Sequence, residues 1–162
     1  MRFLQSSTII PALFASYAFA GPLEKRLTVT DIDTIVVPAD GSSITPGTPF
    51  TFQYQVDNWC EAGYTPLSVW LVANEPTGSD VNSTAQISDS LYYFGNWLIL
   101  NFGLPAMTNP PPPPSTLTLP NALPSEYDGT EVYIAVVQTS LSCPPDGHTE
   151  YGLASNNLQY SA

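Results

Sequence analysis

Hydrophobic side chains recur at every second position in several short segments, and this alternation constrains the fold more than any other feature. In residues 50–56, Phe50, Phe52, Tyr54 and Val56 alternate with polar residues. A period of two is typical of a strand with one buried face, and no segment after residue 27 has a helical period. Further strand candidates are residues 27–37, 66–73, 91–102, 115–119, 131–139 and 151–160. The sequence therefore predicts an all-β, antiparallel sandwich of about seven strands with Greek-key connections.

The start of the chain has the features of a secretory leader followed by a short propeptide. Residues 1–20 contain an apolar stretch and a small-residue cleavage site that ends at Ala20. Residues 21–26 end in the dibasic pair Lys25-Arg26, which resembles the site of a kexin-type processing protease. We therefore expect a single mature domain of residues 27–162. The apolar stretch is shorter than the about 20 residues of a membrane span, so secretion without a membrane anchor is predicted.

Positive charge is confined to the same early part of the chain. Lys and Arg occur only as Arg2, Lys25 and Arg26, and His148 is the one histidine. Of the 14 acidic residues only Glu24 precedes residue 27, which leaves 13 in the predicted mature domain. Nucleic acids and anionic lipids are recognised by cations, so nucleic acids are excluded as partners and anionic lipid surfaces are disfavoured. Crowded carboxylates are also expected to have raised pKa values, which would favour the folded state in mild acid.

Two cysteines, Cys60 and Cys143, predict one disulfide, because an even pair is oxidised in an extracellular compartment. The bond would close a loop of about 80 residues, to which the chain-entropy model assigns about 4–5 kcal/mol. The chain also contains one N-glycosylation sequon, Asn82-Ser83-Thr84, which predicts a surface loop. Both features are typical of a protein that passes through the secretory pathway.

Residues 115–137 resemble the passage from the E strand to the F strand of immunoglobulin-like domains. They contain an alternating strand, a turn at Asp128-Gly129 and then Tyr133. In that family a tyrosine stands two residues before the F-strand cysteine, whereas this chain has Ala135 at the cysteine position. The resemblance implies an immunoglobulin-like sandwich without the central disulfide of the family. Its cysteines would follow the B and F strands instead, at one end of the sandwich.

A second resemblance lies near the front of the predicted domain. Residues 36–52 carry a proline, a glycine turn, a second turn and then a strand, and Ser68-Val-Trp-Leu71 follows. This pattern is similar to the opening of fungal wall-associated immunoglobulin-like modules of the Kre9/Knh1 type. The resemblance implies a small secreted fungal protein that associates with the cell wall, although the Ser/Thr-rich tail of many such proteins is missing.

Asp146, His148 and Glu150 form the one cluster with potential chemistry. In an extended segment these side chains project to one face at i, i+2 and i+4. Carboxylate and imidazole groups are ligands for zinc, copper or manganese. The alternative is a solvated loop, because residues 144–147 are also an ordinary turn sequence.

Aromatic side chains supply the other candidate contacts. Trp59 and Tyr64 flank Cys60, and Trp97 lies in an aromatic-rich strand candidate. Exposed rings with polar tips suit contacts with sugars or proteins, whereas burial in the core is the competing interpretation. For Trp70 we expect a core position.

Enzymatic chemistry finds little support in the sequence. His148 is the only histidine available as a general base, and no Gly-x-Ser-x-Gly elbow accompanies it. We therefore predict a secreted, acidic, non-enzymatic protein without a cofactor, which serves as an extracellular or cell-wall-associated binding or structural module. Its predicted partner is a cell-wall polysaccharide or an extracellular protein. The alternative is a metal-binding protein or metal-dependent enzyme that uses Asp146, His148 and Glu150.

Overall fold

The computed structural model describes residues 29–30, 34–56, 60 and 62–162. Within these ranges the chain forms ten strand segments, two short 3-10 helices and no α-helix. The prediction of a β protein is therefore confirmed, and in this part of the chain no helix is long and apolar enough to cross a membrane. The 3-10 helices are Gly78–Asp80 and Ser125–Tyr127. The strands are β1 (Val29–Thr30), β2 (Thr34–Val37), β3 (Ser42–Ile44), β4 (Phe50–Thr51), β5 (Gln53–Gln55), β6 (Tyr64–Val72), β7 (Ser90–Leu100), β8 (Thr116–Leu117), β9 (Glu131–Cys143) and β10 (His148–Tyr160).

One sheet of six strands dominates the fold. Its order is β1-β10-β9-β6-β7, and β3 pairs with the same edge of β10 as β1 does. The pairs β10–β9, β9–β6 and β6–β7 are antiparallel, whereas β1 and β3 run parallel to β10. The central strand β9 has an almost continuous buried run in residues 132–137, as expected for a strand that is covered on both faces.

The main core lies between the inner face of this sheet and two short ladders, β2–β5 and β4–β8. On β6 the inner side chains are Leu67, Val69 and Leu71, and they form one buried cluster with Phe52 and Leu117 from the ladder side. The period of two along β6 therefore places every second residue in this core.

The predicted strand at residues 50–56 is divided at Phe52. Phe50–Thr51 pairs with β8, whereas Gln53–Gln55 pairs with β2. Phe52 lies between the two ladders and is buried in the main core, and its N–H donates to the Ser115 carbonyl oxygen at 2.9 Å. One alternating segment thus supplies a strand to each of two ladders, which hydrophobic periodicity alone does not reveal.

The outer face of the sheet is covered as well. The connection between β6 and β7 folds back over it, so that Val81 and Ile87 form a second buried cluster with Trp70 and Val137. Trp70 is buried, as expected, and its ring lies against Tyr93 with a centroid separation of 4.3 Å. Its burial is on the outer face, under this connection, and not in the main core between the layers.

The proline-rich segment runs along the edge of the sheet beside β7. The Leu98 N–H donates to the Pro111 carbonyl oxygen at 3.0 Å, and no strand is formed in residues 110–114. Proline has no N–H to offer, so this segment accepts a hydrogen bond from the edge strand without extending the sheet. The open edge of β7 is thereby protected against pairing with another chain.

The predicted disulfide between Cys60 and Cys143 is present. Cys60 lies in the connection between β5 and β6, and Cys143 is the last residue of β9. Both are buried. The bond therefore ties this connection to the end of the sheet at which β9 ends.

Candidate functional site

The connection from β7 to β8 begins with a tight turn at residues 101–104. The Leu104 N–H donates to the Asn101 carbonyl oxygen at 3.2 Å. Phe102 and Gly103 have φ values of 56° and 68°, so two consecutive residues are left-handed, as in a type I′ turn. This conformation costs a non-glycine residue about 1–2 kcal/mol. Strained residues of this kind concentrate at functional sites, so we define residues 101–109 as the Phe102 loop and take it as the first candidate.

Asn101 fixes the Phe102 loop to the start of β6. Its Nδ2 donates to the Ala62 carbonyl oxygen and to Thr65 Oγ1, both at 2.8 Å. Its backbone N–H donates to the Gly63 carbonyl oxygen at 3.0 Å. Because Thr65 is buried, these bonds are shielded from competition with water.

Gly63 and Tyr64 complete the support of the loop. A Cβ atom at Gly63 would lie 2.7 Å from Leu104 Cδ1, so a side chain at this position would require the exposed leucine side chain to shift. The Tyr64 hydroxyl donates to the Pro105 carbonyl oxygen at 3.1 Å. A loop that is held at several points loses little conformational entropy when it binds a partner.

The side chains displayed by the Phe102 loop are apolar and exposed. Phe102 is 72% exposed, and Leu104 and Met107 are also among the exposed large hydrophobic residues. No charged residue occurs in the sequence between Asp89 and Glu126. The loop therefore presents an uncharged apolar surface on an otherwise acidic chain, and such a surface is suited to a neutral partner.

The aromatic residues predicted as ligand contacts have different positions. Trp59 lies outside the described residues. Tyr64 supports the Phe102 loop through its hydroxyl group. Trp97 is half-buried, pairs with Leu67 and packs against the main core, so it lies on the opposite face of the sheet from Tyr64. The structure does not bring Tyr64 and Trp97 together, and their role in ligand binding stays a prediction.

Sequence reasoning assigned Phe102 to the end of a strand and missed it as a contact residue. The strand ends at Leu100 instead, and the turn follows. The signal for this turn was Asn101 before Phe102-Gly103, because asparagine and glycine favour turns. The exposure of the phenylalanine ring has no comparable signal, since strand patterns place aromatic residues in the core.

The second candidate is the His148 cluster, formed by Asp146, His148 and Glu150 at the beginning of β10. His148 Nδ1 lies 2.6 Å from Asp146 Oδ1, and Nε2 lies 2.7 Å from Glu150 Oε1. A carboxylate oxygen only accepts hydrogen bonds, so both ring nitrogens donate when both contacts are made, and the ring is then an imidazolium. The hydrogen bonds to Glu150 and Asp146 raise the pKa of His148 above 6.5.

The same contacts act on the acidic partner. The hydrogen bond from His148 lowers the pKa of Asp146 below 3.8, and hydrogen bonds from the Thr77 N–H and hydroxyl group lower the pKa of Asp80 in the same way. For these two carboxyl groups the expected rise in pKa is wrong, because a local donor outweighs the repulsion between distant negative charges.

Glu150 is the most unusual member of the His148 cluster. The residue is 7% exposed, and its Oε2 is buried without a hydrogen-bond partner among the described residues. A buried acceptor without a partner costs about 1–3 kcal/mol, and a charged one costs more. One oxygen of Glu150 lies within 4.8 Å of the sulfur atoms of Cys60 and Cys143.

The predicted metal ligands do not meet at one point in this arrangement. Asp146 and Glu150 contact opposite nitrogens of the His148 ring, so the ring separates the two carboxylates. A shared ion between the three side chains would require the ring to move out of this position. The assignment of a metal to Asp146, His148 and Glu150 stays a prediction.

The remaining predicted sites are the glycosylation site at Asn82, whose use stays a prediction, and the processing sites. Asn82 is half-buried, and its Oδ1 accepts hydrogen bonds from the N–H groups of Thr84 and Gln86 at 2.9 and 3.1 Å. The sequon therefore lies in an ordered turn of the connection that covers the outer face. The predicted processing sites at Ala20, Lys25 and Arg26 are outside the described ranges.

Comparison of the chain with protein-family models, with curated proteins and with solved structures finds no match.

Proposed function

We propose that this protein is a secreted, acidic, non-enzymatic binding module, and that the Phe102 loop is its contact surface. The observation that carries the proposal is the display of Phe102 on a left-handed turn, 72% exposed to solvent. A large apolar side chain that stays exposed contributes little to folding, and backbone strain opposes it. Their combination at one residue, with the loop held in place by Asn101, is what a binding surface requires.

The immunoglobulin-like part of the proposal draws support from strand adjacency. Strands β6, β9 and β10 are consecutive neighbours in the sheet, in the way that the C, F and G strands of such domains are. The short ladders β2–β5 and β4–β8 face them across the main core. In this assignment the disulfide joins the B–C connection to the end of the F strand.

Secretion and processing belong to the proposal for reasons of charge and redox chemistry. A buried disulfide is typical of proteins in oxidising compartments. Cleavage after Arg26 would remove all three Lys and Arg residues and leave a strongly acidic domain. With the sequon at Asn82, this supports an extracellular protein of a fungus, located at or near the cell wall.

The proposed ligand is a neutral cell-wall polysaccharide. An acidic domain without Lys or Arg has no means to attract polyanions, and the Phe102 loop itself carries no charge. The apolar face of a sugar ring packs against a flat aromatic ring, and the exposed Thr108 and Asn109 supply polar groups beside it. An extracellular protein with an apolar pocket is the other partner that the loop would suit.

Retention on insoluble chitin and on insoluble β-glucan tests the proposal. We expect the wild-type protein to be retained on one of them and Phe102→Ala to lose most of that retention. Val36→Ala is the matched control, because it also truncates an exposed apolar side chain, but in β2. No retention of the wild type on either polymer would rule out the polysaccharide, and equal retention of both variants would rule out the Phe102 loop.

A further inference from the structure

A second site is indicated by the surroundings of the disulfide. Cys60, Cys143 and Glu150 are all buried, and each offers a ligand atom within 4.8 Å of the others. Oε2 of Glu150 has no hydrogen-bond partner in the part of the chain that the structure describes, and the side chain is only 9% exposed. An unpartnered buried oxygen belongs to the same carboxylate that approaches the two sulfur atoms, so this carboxylate could act as a metal ligand if the sulfur atoms were thiolates.

The donor set selects the metal. Two thiolates with carboxylate or imidazole groups favour zinc, which takes four ligands in a tetrahedron. Calcium and magnesium are disfavoured, because they require mainly oxygen ligands. While the sulfur atoms are joined in the disulfide they are not thiolates, so the site is closed in the oxidised protein.

We propose that reduction of the Cys60–Cys143 disulfide opens a zinc site formed by Cys60, Cys143 and Glu150. We assign the fourth position to Nε2 of His148, which lies 2.7 Å from Glu150 Oε1 and would have to turn toward the two sulfur atoms. An external dithiol supplies two electrons and two protons, becomes a disulfide itself and leaves two cysteine thiols. Zinc then displaces the two thiol protons and the proton on His148 Nε2, and all three pass to water.

The fold holds most of this site without the disulfide. Cys143 ends β9 and His148 begins β10, and the two residues are paired in the antiparallel register. Glu150 pairs with Ser140 in the same ladder, which is the most extensive in the sheet. Three of the four ligands are therefore fixed by strand pairing, and only Cys60 lies in a connection. The proposal is independent of the Phe102 loop.

The experiment is a zinc titration of the secreted protein, with and without reduction by a phosphine in the absence of oxygen. A chromogenic chelator competes for the metal, and circular dichroism monitors whether the reduced chain stays folded. We expect a single zinc ion to bind to the reduced protein and none to the oxidised protein. Removal of a residue that only hydrogen-bonds to a metal ligand typically lowers metal affinity about 10–100-fold. Glu150→Gln removes a proposed ligand and should therefore lower zinc affinity at least about tenfold.

Glu126→Gln is the matched control, because it removes the same charge from an exposed position and should leave zinc affinity unchanged. X-ray absorption at the zinc edge should show sulfur together with lighter donor atoms. Absence of zinc binding by the reduced protein would overturn the proposal. So would equal affinity of Glu150→Gln and the wild type, because the metal would then be held by the thiols alone, whether or not the chain stays folded.

Discussion

The Phe102 loop and the His148 cluster lie at the same end of the six-stranded sheet, but the first is held by neutral groups and the second by charged groups. At this end β7 and β9 end and β6 and β10 begin. The Phe102 loop has no charge and is held by Asn101 through neutral hydrogen bonds. The His148 cluster contains the only side-chain cation that the described residues can form, and it is held by two carboxylates.

Because of this difference, the two regions should respond differently to pH and salt. Neutral hydrogen bonds to buried groups persist over a wide range of pH and salt, so the Phe102 loop should keep its shape in any medium in which the chain is folded. The contacts of His148 depend on its proton and are exposed to screening by salt. One region therefore presents a constant surface, and the other changes with acidity.

The largest effect is expected from loss of the disulfide. This bond joins the connection before β6, which supports the Phe102 loop, to the end of β9, which precedes the His148 cluster. The double variant Cys60→Ser/Cys143→Ser should lower the free energy of unfolding by about 2–5 kcal/mol, as is typical for a small secreted domain. Urea denaturation of the oxidised wild type and of the variant measures the difference. A loss smaller than that caused by Asn101→Ala would contradict the role of the bond as the main fastening at this end.

Asn101→Ala tests the neutral region alone. The change removes one hydrogen bond to the buried Thr65 hydroxyl group and one to the Ala62 carbonyl oxygen. The free energy of unfolding should fall by about 1–3 kcal/mol, because buried polar groups lose a partner. Urea denaturation should give the same loss on both sides of pH 6.5. Asn109→Ala, an exposed position in the same loop, is the control and should have little effect.

These contrasts also show what could be predicted from sequence. The strands of the large sheet follow from alternation and from the apolar run in residues 132–137, and the disulfide follows from a pair of cysteines in a chain whose start resembles a secretory leader. The ladder change at Phe52 could not be predicted, because both halves have the same period. Nor could the placement of Trp70, since alternation separates the two faces of a strand but does not say which face meets the second layer.

The candidate sites could likewise be predicted only in part. Local spacing was enough to indicate that Asp146, His148 and Glu150 are neighbours. It did not indicate that the two carboxylates contact opposite nitrogens of the His148 ring. It also did not indicate that Glu150 lies close to the disulfide, because Cys60 is distant in sequence. Nor could the attachment of the Phe102 loop be predicted, because the hydrogen bond from Asn101 to Gly63 forms only where the ends of β6 and β7 are paired.

The charged region is tested by the pH dependence of stability. The pKa of His148 is raised on folding, so its contribution is complete below 6.5 and is lost as pH rises through the folded pKa. The pKa of Asp146 is lowered, so its contribution is present above 3.8 and is lost as pH falls through the folded pKa. The melting temperature of the oxidised protein should therefore be highest between these values. His148→Gln should flatten the fall on the alkaline side, and an unchanged profile would show that other groups cause it.

The smallest effect is expected at the residue on which the binding proposal depends. Phe102 is strained in its left-handed conformation, whereas asparagine adopts this conformation readily, so Phe102→Asn should preserve the turn. Recovery of part of the about 1–2 kcal/mol of strain should raise the free energy of unfolding by about 0.5–1 kcal/mol. The same change should abolish retention on the polysaccharide, so stability and binding should move in opposite directions. If Phe102→Asn instead destabilises the chain, the phenylalanine is a packing residue, and the turn gives no reason to regard it as a contact.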